Sequence, residues 1–153
     1  MPFPITRPRR LRGSPALRAL VAETRVNRDD LIYPLFVDAR LRRTEEISAM
    51  PGQHRWPVER VAEEAARVHA LGLHAVLLFG LPEWKDARGT SSWEVDSVVQ
   101  RAATAIKEAA PDLLVITDVC LCEYTDHGHC GVLDGTRVVN DETLDLLARQ
   151  AVS

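Results

Sequence analysis

Apolar residues along the chain follow two alternating patterns. Residues 31–37 (LIYPLFV), 75–79 (AVLLF) and 113–119 (LLVITDV) are nearly unbroken apolar runs of strand length, as expected of strands covered on both faces. Pro34 is the awkward position, since proline in a central strand removes a ladder hydrogen bond. Between the runs the spacing becomes helical: Val58, Val61, Ala65, Val68 and Leu71 predict one helix, closed by Gly72. Val95, Val98, Val99, Ala102 and Ile106 predict another, stopped by Pro111 and Asp112. Asn140 or Asp141 can cap a last helix with Leu144, Leu147, Ala148 and Ala151 on one side. At the N-terminus, Pro2, Pro4 and Pro8 predict extended chain to residue 14, after which Ser14 and Pro15 start a short helix over 15–24.

A strand–helix alternation of this kind predicts an α/β fold with a parallel sheet, and the periods alone do not choose between a doubly wound sheet and a closed barrel. A (β/α)8 barrel takes about 250 residues. A barrel reading therefore gives this 153-residue chain only about the first three βα units.

Composition narrows the class. A hydrophobic fraction of 46% and a charged fraction of 27% suit one ordinary globular domain. No apolar run approaches the roughly 20 residues that span a bilayer, so no membrane partner is expected. The proline- and arginine-rich start has no signal-like apolar core, which predicts a cytoplasmic protein. The net charge of -3 hides an uneven distribution: Arg7, Arg9, Arg10, Arg12, Arg18, Arg25 and Arg28 face only Glu23, Asp29 and Asp30 within residues 1–30. That segment reads as a basic arm, solvated or in contact with another subunit. A nucleic-acid surface would need a wider basic face with base-reading groups.

The chemistry concentrates at Asp118, Cys120, Cys122 and Cys130. If strand conformation persists past residue 117, Asp118, Cys120 and Cys122 project to one side, at the strand end where barrel enzymes collect catalytic groups. The turn-forming stretch 125–129 can return Cys130 to the first two thiols. Three soft ligands suit zinc and leave a fourth position open, as catalytic zinc does; His127 or His129 in that position would make the site structural. Asp118 is either a polar partner of the site or a strand-end hydrogen-bond acceptor. Lys85 and Lys107 are the only lysines, so imine chemistry within the chain must use one of them. Lys107 reads as solvated, and Lys85 as a surface loop residue.

The segment DVCLCEYTDHGHCGVL (118–133) resembles the zinc-site signature of the porphobilinogen synthase (5-aminolevulinate dehydratase) family. Residues 7–24 (RPRRLRGSPALRALVAET), 31–37, 49–55 (AMPGQHR), 77–80 (LLFG) and 111–125 (PDLLVITDVCLCEYT) are similar to successive family segments in the same order. The resemblance implies a (β/α)8 TIM barrel, of which residues 31–153 are the N-terminal part and residues 1–30 an arm that embraces a neighbouring subunit in a homo-octamer. It also implies condensation of two 5-aminolevulinate molecules to porphobilinogen in tetrapyrrole and haem biosynthesis. Zinc would be bound by Cys120, Cys122 and Cys130, with Asp118 nearby. Some family members lack the cysteines and use magnesium; any magnesium or allosteric site would lie outside residues 1–153 or between subunits.

Two departures stand out. Asp126 replaces a usual serine, and the two imine-forming lysines of the family match neither Lys85 nor Lys107. The chain by itself is therefore expected to be inactive. The alternative is a non-catalytic zinc-binding or subunit-interaction protein.

Overall fold

The computed structural model describes Ile5 and residues 8–153; the expectations for Pro2, Pro4 and Arg7 fall outside the described residues. The chain divides into two compact units, Met1–Asp30 and Leu31–Ser153.

In the first unit a 3-10 helix, Pro8–Arg12, replaces the expected extended chain. Proline at the first position removes only an amide that would be unpaired in any case. Helix α1 spans Pro15–Leu20, and the Ser14 side chain caps it by accepting the Leu17 amide at 3.1 Å. It stops short of residue 24. No residue of α1 is buried, so no packing supports further turns of so short a helix. A second 3-10 helix, Arg28–Asp30, closes the unit.

The second unit contains β1 (Ile32–Asp38), β2 (Glu45–Glu46), β3 (His54–Trp56), α2 (Val58–Ala70), β4 (Ala75–Leu81), α3 (Val98–Ala109), β5 (Leu114–Thr117), a hairpin of β6 (Leu133–Asp134) and β7 (Arg137–Val138), and α4 (Asn140–Val152). Its main sheet has the order β2-β3-β1-β4-β5, with β2 antiparallel at one edge and the other strands parallel. This is an α/β fold with a mostly parallel, open sheet. Strands β1, β4 and β5 are neighbours in chain order, joined through α2 and α3.

Pro34 is accommodated by the direction of its backbone. The amide of Ala39, just past β1, donates to Leu81 at the end of β4, and alternation along the strand turns the Pro34 nitrogen toward the opposite side. There β3 pairs only with Phe36 and Val37, so Pro34 removes no bond. Helix α2 ends as its glycine predicts: Gly72, at φ 87°, donates to His69, and Leu73 donates to Val68.

Leu35, Val37, Val76 and Leu78 lie on the sheet face covered by α2 and α3, against Val61, Ala65, Val68, Val98, Ala102 and Ile106. The opposite face departs from expectation. Phe36 and Phe79, stacked at 5.3 Å between centroids, are half-buried, and Ile32 and Leu114 are exposed. Among the described residues no layer covers that face, so the apolar runs are covered on one side only.

Three further boundaries differ. Helix α3 begins at Val98, leaving Val95 85% exposed in the preceding loop. Helix α4 buries Thr143 and Leu146, while Leu144, Ala148 and Ala151 are exposed. It is entered from Val139 without a side-chain cap. Strand β5 stops at Thr117, because the fully buried Leu121 draws the following chain into a turn whose carbonyl accepts the amides of Tyr124 and Thr125.

Two buried carboxylates tie the elements together. Glu64 of α2 accepts the Tyr33 hydroxyl of β1 at 3.0 Å and both arms of Arg67. Asp38, at the end of β1, holds Arg40 at 2.7 Å and faces Arg55. The Arg67 hydrogen bonds set the Glu64 pKa below the usual 4.5, outweighing its burial. Burial opposes charge on Asp38, yet Arg40 and Arg55 together hold it below 3.8. A lowered folded pKa contributes stability that is complete above the unfolded value and is lost as pH falls through the folded one. Urea midpoints are therefore expected to fall below about pH 4.5, and combining Asp38→Asn with Glu64→Gln should flatten that fall. An unchanged acid slope in the double variant would count against these two groups as its source.

Candidate metal centre

The cysteine segment leaves β5 and is fixed from three directions. Leu121, Tyr124 and Thr125 are buried, and the Thr125 hydroxyl donates to the His129 carbonyl at 2.8 Å, closing the loop. Gly128, at φ 73°, supplies the left-handed residue this tight return requires. The loop after β4 is stitched alongside: Asp126 donates its amide to Asp86 at 3.0 Å, and the Asp86 carboxylate accepts the amides of Arg88 and Thr90. From α4, Gln150 donates to the Cys120 carbonyl at 3.1 Å.

These restraints bring together the three thiols singled out in the sequence. Cys120 Sγ and Cys122 Sγ are 3.3 Å apart, and all three sulfurs lie within 4.8 Å of one another. The route differs from expectation: a turn around Leu121 gathers the sulfurs, since β5 has ended before Asp118. Cys120 and Cys122 are half-buried and Cys130 is exposed. Burial, then Cys120 and Glu123, push the Cys122 thiol above its ordinary range. Cys130 is raised chiefly by its hydrogen bond to Cys120. Binding a cation releases such thiol protons. Three sulfurs at these separations suit a tetrahedral ion of soft or borderline character.

A second group shares Cys120: ligand atoms of Asp118, Cys120 and Glu123 also lie within 4.8 Å of one another. Asp118 is thus beside Cys120. Glu123 was not singled out in the sequence, although a carboxylate next to a ligating cysteine was a signal for it. Neither histidine belongs to these groups. His127 Nε2 donates to the Ala87 carbonyl at 3.2 Å while its Nδ1 accepts the His129 amide, and His129 Nδ1 donates to the His127 carbonyl. The lysines are also elsewhere: Lys107 Nζ binds the carbonyls of Pro111 and Leu113, clamping the chain after α3, and Lys85 is exposed. A cleft of about 390 Å³ adjoins Asp118 and is lined by Tyr124, Val99, Gln100 and Gln150, but by none of the cysteines.

Residues 5–153 match the family model of delta-aminolevulinic acid dehydratase, a span that includes every residue of the thiol cluster. The chain belongs to the delta-aminolevulinic acid dehydratase family. It is 48% identical to the delta-aminolevulinic acid dehydratase of Methanothermus sociabilis over 153 residues, covering 100% of this chain and 48% of that protein. With the Synechococcus elongatus enzyme of the same name it shares 48% identity, covering 99% of this chain and 48% of the relative. The chain thus spans about half the length of these relatives. The fold agrees with the Toxoplasma gondii delta-aminolevulinic acid dehydratase (porphobilinogen synthase), solved with its reaction product porphobilinogen. The TM-score is 0.83 at 40% identity, over 96% of this chain and 43% of that one.

Proposed function

We propose that this chain carries the zinc-binding part of a porphobilinogen synthase, which condenses two molecules of 5-aminolevulinate in tetrapyrrole and haem biosynthesis. The observation that carries this reading is the convergence of Cys120, Cys122 and Cys130 just beyond β5, in a chain of this family. Zinc held there supplies Lewis acidity toward a substrate oxygen or nitrogen. Asp118 offers a neighbouring carboxylate that orients the substrate's amino group or accepts a proton from it. Asp86 and Thr125 keep the loop in place, and Gln150 holds the Cys120 backbone.

Strands β1, β4 and β5 are the first three of a (β/α)8 barrel, and the face bearing Phe36 and Phe79 is its interior. The imine-forming lysines are residues other than Lys85 and Lys107, one being exposed and the other occupied as a clamp. The arm, with no buried residue in α1, contacts neighbouring subunits of a homo-octamer. The protein works in the cytoplasm, and magnesium, where used, binds at sites other than the thiols. No helix among the described residues is long and apolar enough to cross a membrane.

The purified chain, given zinc, 5-aminolevulinate and borohydride, is expected to bind one zinc per chain with thiolate ligation. It should form no reduced imine and release no porphobilinogen. A lysine adduct on Lys85 or Lys107 would overturn the assignment of those residues. Absence of thiolate-bound zinc would overturn the site itself. The placement of both lysines also favours a second reading, a non-catalytic zinc-binding or subunit-interaction protein. Adding the lysine-bearing part of a family member separates the two, because porphobilinogen should then form only on the first reading.

A further inference from the structure

Cys120 and Cys122 are half-buried and Cys130 is exposed, so the thiols contribute little packing to the turn that carries them. The turn is closed instead against the loop that follows β4. The Asp86 amide donates to the Tyr124 carbonyl at 3.4 Å, and the Asp86 carbonyl accepts the Asp126 amide at 3.0 Å, so Asp86 pairs with Thr125 as in a parallel ladder. His127 Nε2 donates to the Ala87 carbonyl at 3.2 Å. Buried Gly89 lies so close to the turn that a methyl group added there would come within 3.2 Å of both Leu121 Cδ2 and Tyr124 Cβ.

One side chain gives the loop after β4 its shape. Asp86 Oδ1 accepts the amides of Arg88 at 2.9 Å and Thr90 at 3.0 Å, which bends the chain back into the 3-10 helix Thr90–Trp93. Gly89, at φ 65°, supplies the left-handed residue within that bend. Asp86 therefore couples the two loops, its side chain shaping one and its backbone pairing with the other. It belongs to neither cluster of candidate ligands.

We propose that Asp86 is a positioning residue for the ion at Cys120, Cys122 and Cys130, and that it acts by accepting hydrogen bonds rather than by its charge. This rests on the zinc reading above and extends it to the loop after β4. With the acceptor in place, the turn is ordered before the ion arrives. Without it, ion binding has to order both loops, and that lost entropy is subtracted from the affinity.

Three variants separate geometry from charge. Asp86→Asn keeps an oxygen acceptor and removes the charge, Asp86→Glu keeps the charge and displaces the oxygen by one methylene, and Asp86→Ala removes both. Competition with a chromophoric chelator reads zinc affinity, and near-ultraviolet charge transfer of the cobalt(II)-loaded chain reads thiolate ligation. The alanine and glutamate variants are expected to keep charge transfer and lose about tenfold in zinc affinity. The asparagine variant, with neutral hydrogen bonds in place of charge-assisted ones, should lose about threefold or less. Glu64→Gln, on α2, controls for a general loss of stability: it should lower the urea midpoint and leave zinc affinity unchanged. Losses in the alanine and glutamate variants no greater than in Glu64→Gln would make Asp86 merely structural and overturn the proposal. Equal tenfold losses in the asparagine and alanine variants would overturn it too, by showing that the charge acts. Far-UV circular dichroism checks the fold of each variant, and the asparagine–glutamate pair decides if the alanine one does not fold. No charge transfer in the unaltered chain would overturn the zinc reading itself, and the role of Asp86 with it.

Discussion

Serine in place of Cys122 is expected to weaken zinc binding by two to three orders of magnitude. Zinc sites built from four protein ligands bind with about 10–16 kcal/mol at neutral pH. An equal share per ligand is about 2.5–4 kcal/mol, and each 1.4 kcal/mol is roughly tenfold in affinity. Serine matches cysteine in shape but remains protonated at neutral pH, so it removes the thiolate with little effect on packing. Cys122 is the informative position because it belongs to the three-thiol cluster, its sulfur 3.3 Å from Cys120, and is half-buried. Competition with a chromophoric chelator measures the effect directly. A loss below tenfold would mean that Cys122 is no ligand, and that the thiols converge for another reason.

Alanine in place of Gly80 is expected to destabilise the second unit by roughly 2–3 kcal/mol, the upper part of the range for overpacked cores. Gly80 lies on β4 where the sheet meets α3. A methyl group there would come within 2.5 Å of Val99 Cγ2 and 2.8 Å of both Val98 Cγ1 and the Tyr124 hydroxyl. Val98 is anchored in the core and Tyr124 is buried beside the cysteine segment, so neither neighbour can withdraw freely. The fall in melting temperature should be roughly 4–12 °C for a chain of this size. Zinc affinity should drop as well, because Tyr124 immediately follows Glu123 and its displacement moves the loop. Thermal unfolding with and without zinc checks both effects. An unchanged melting temperature would show that α3 moves away from the sheet without cost.

The family relationship and the α/β class were legible in the residues, because each rests on local information. The period of apolar positions marks strand against helix wherever packing is one-sided or two-sided, and Gly72 and Ser14 end or begin their helices through backbone geometry within a few residues. Thiols are soft ligands in any context, so Cys120, Cys122 and Cys130 pointed to metal from their type and spacing alone. Tertiary structure decided the rest. The burial of Leu121 ended β5 early and replaced strand alternation with a turn, which brought Glu123 beside Cys122. Contacts with Ala87 and within the loop drew His127 and His129 away from the thiols, and the carbonyls of Pro111 and Leu113 occupied Lys107. Periodicity says that a face is apolar but not what covers it. Only the fold shows Leu144 exposed and Leu146 buried on α4, and one side of the sheet covered, because burial depends on partners distant in the chain.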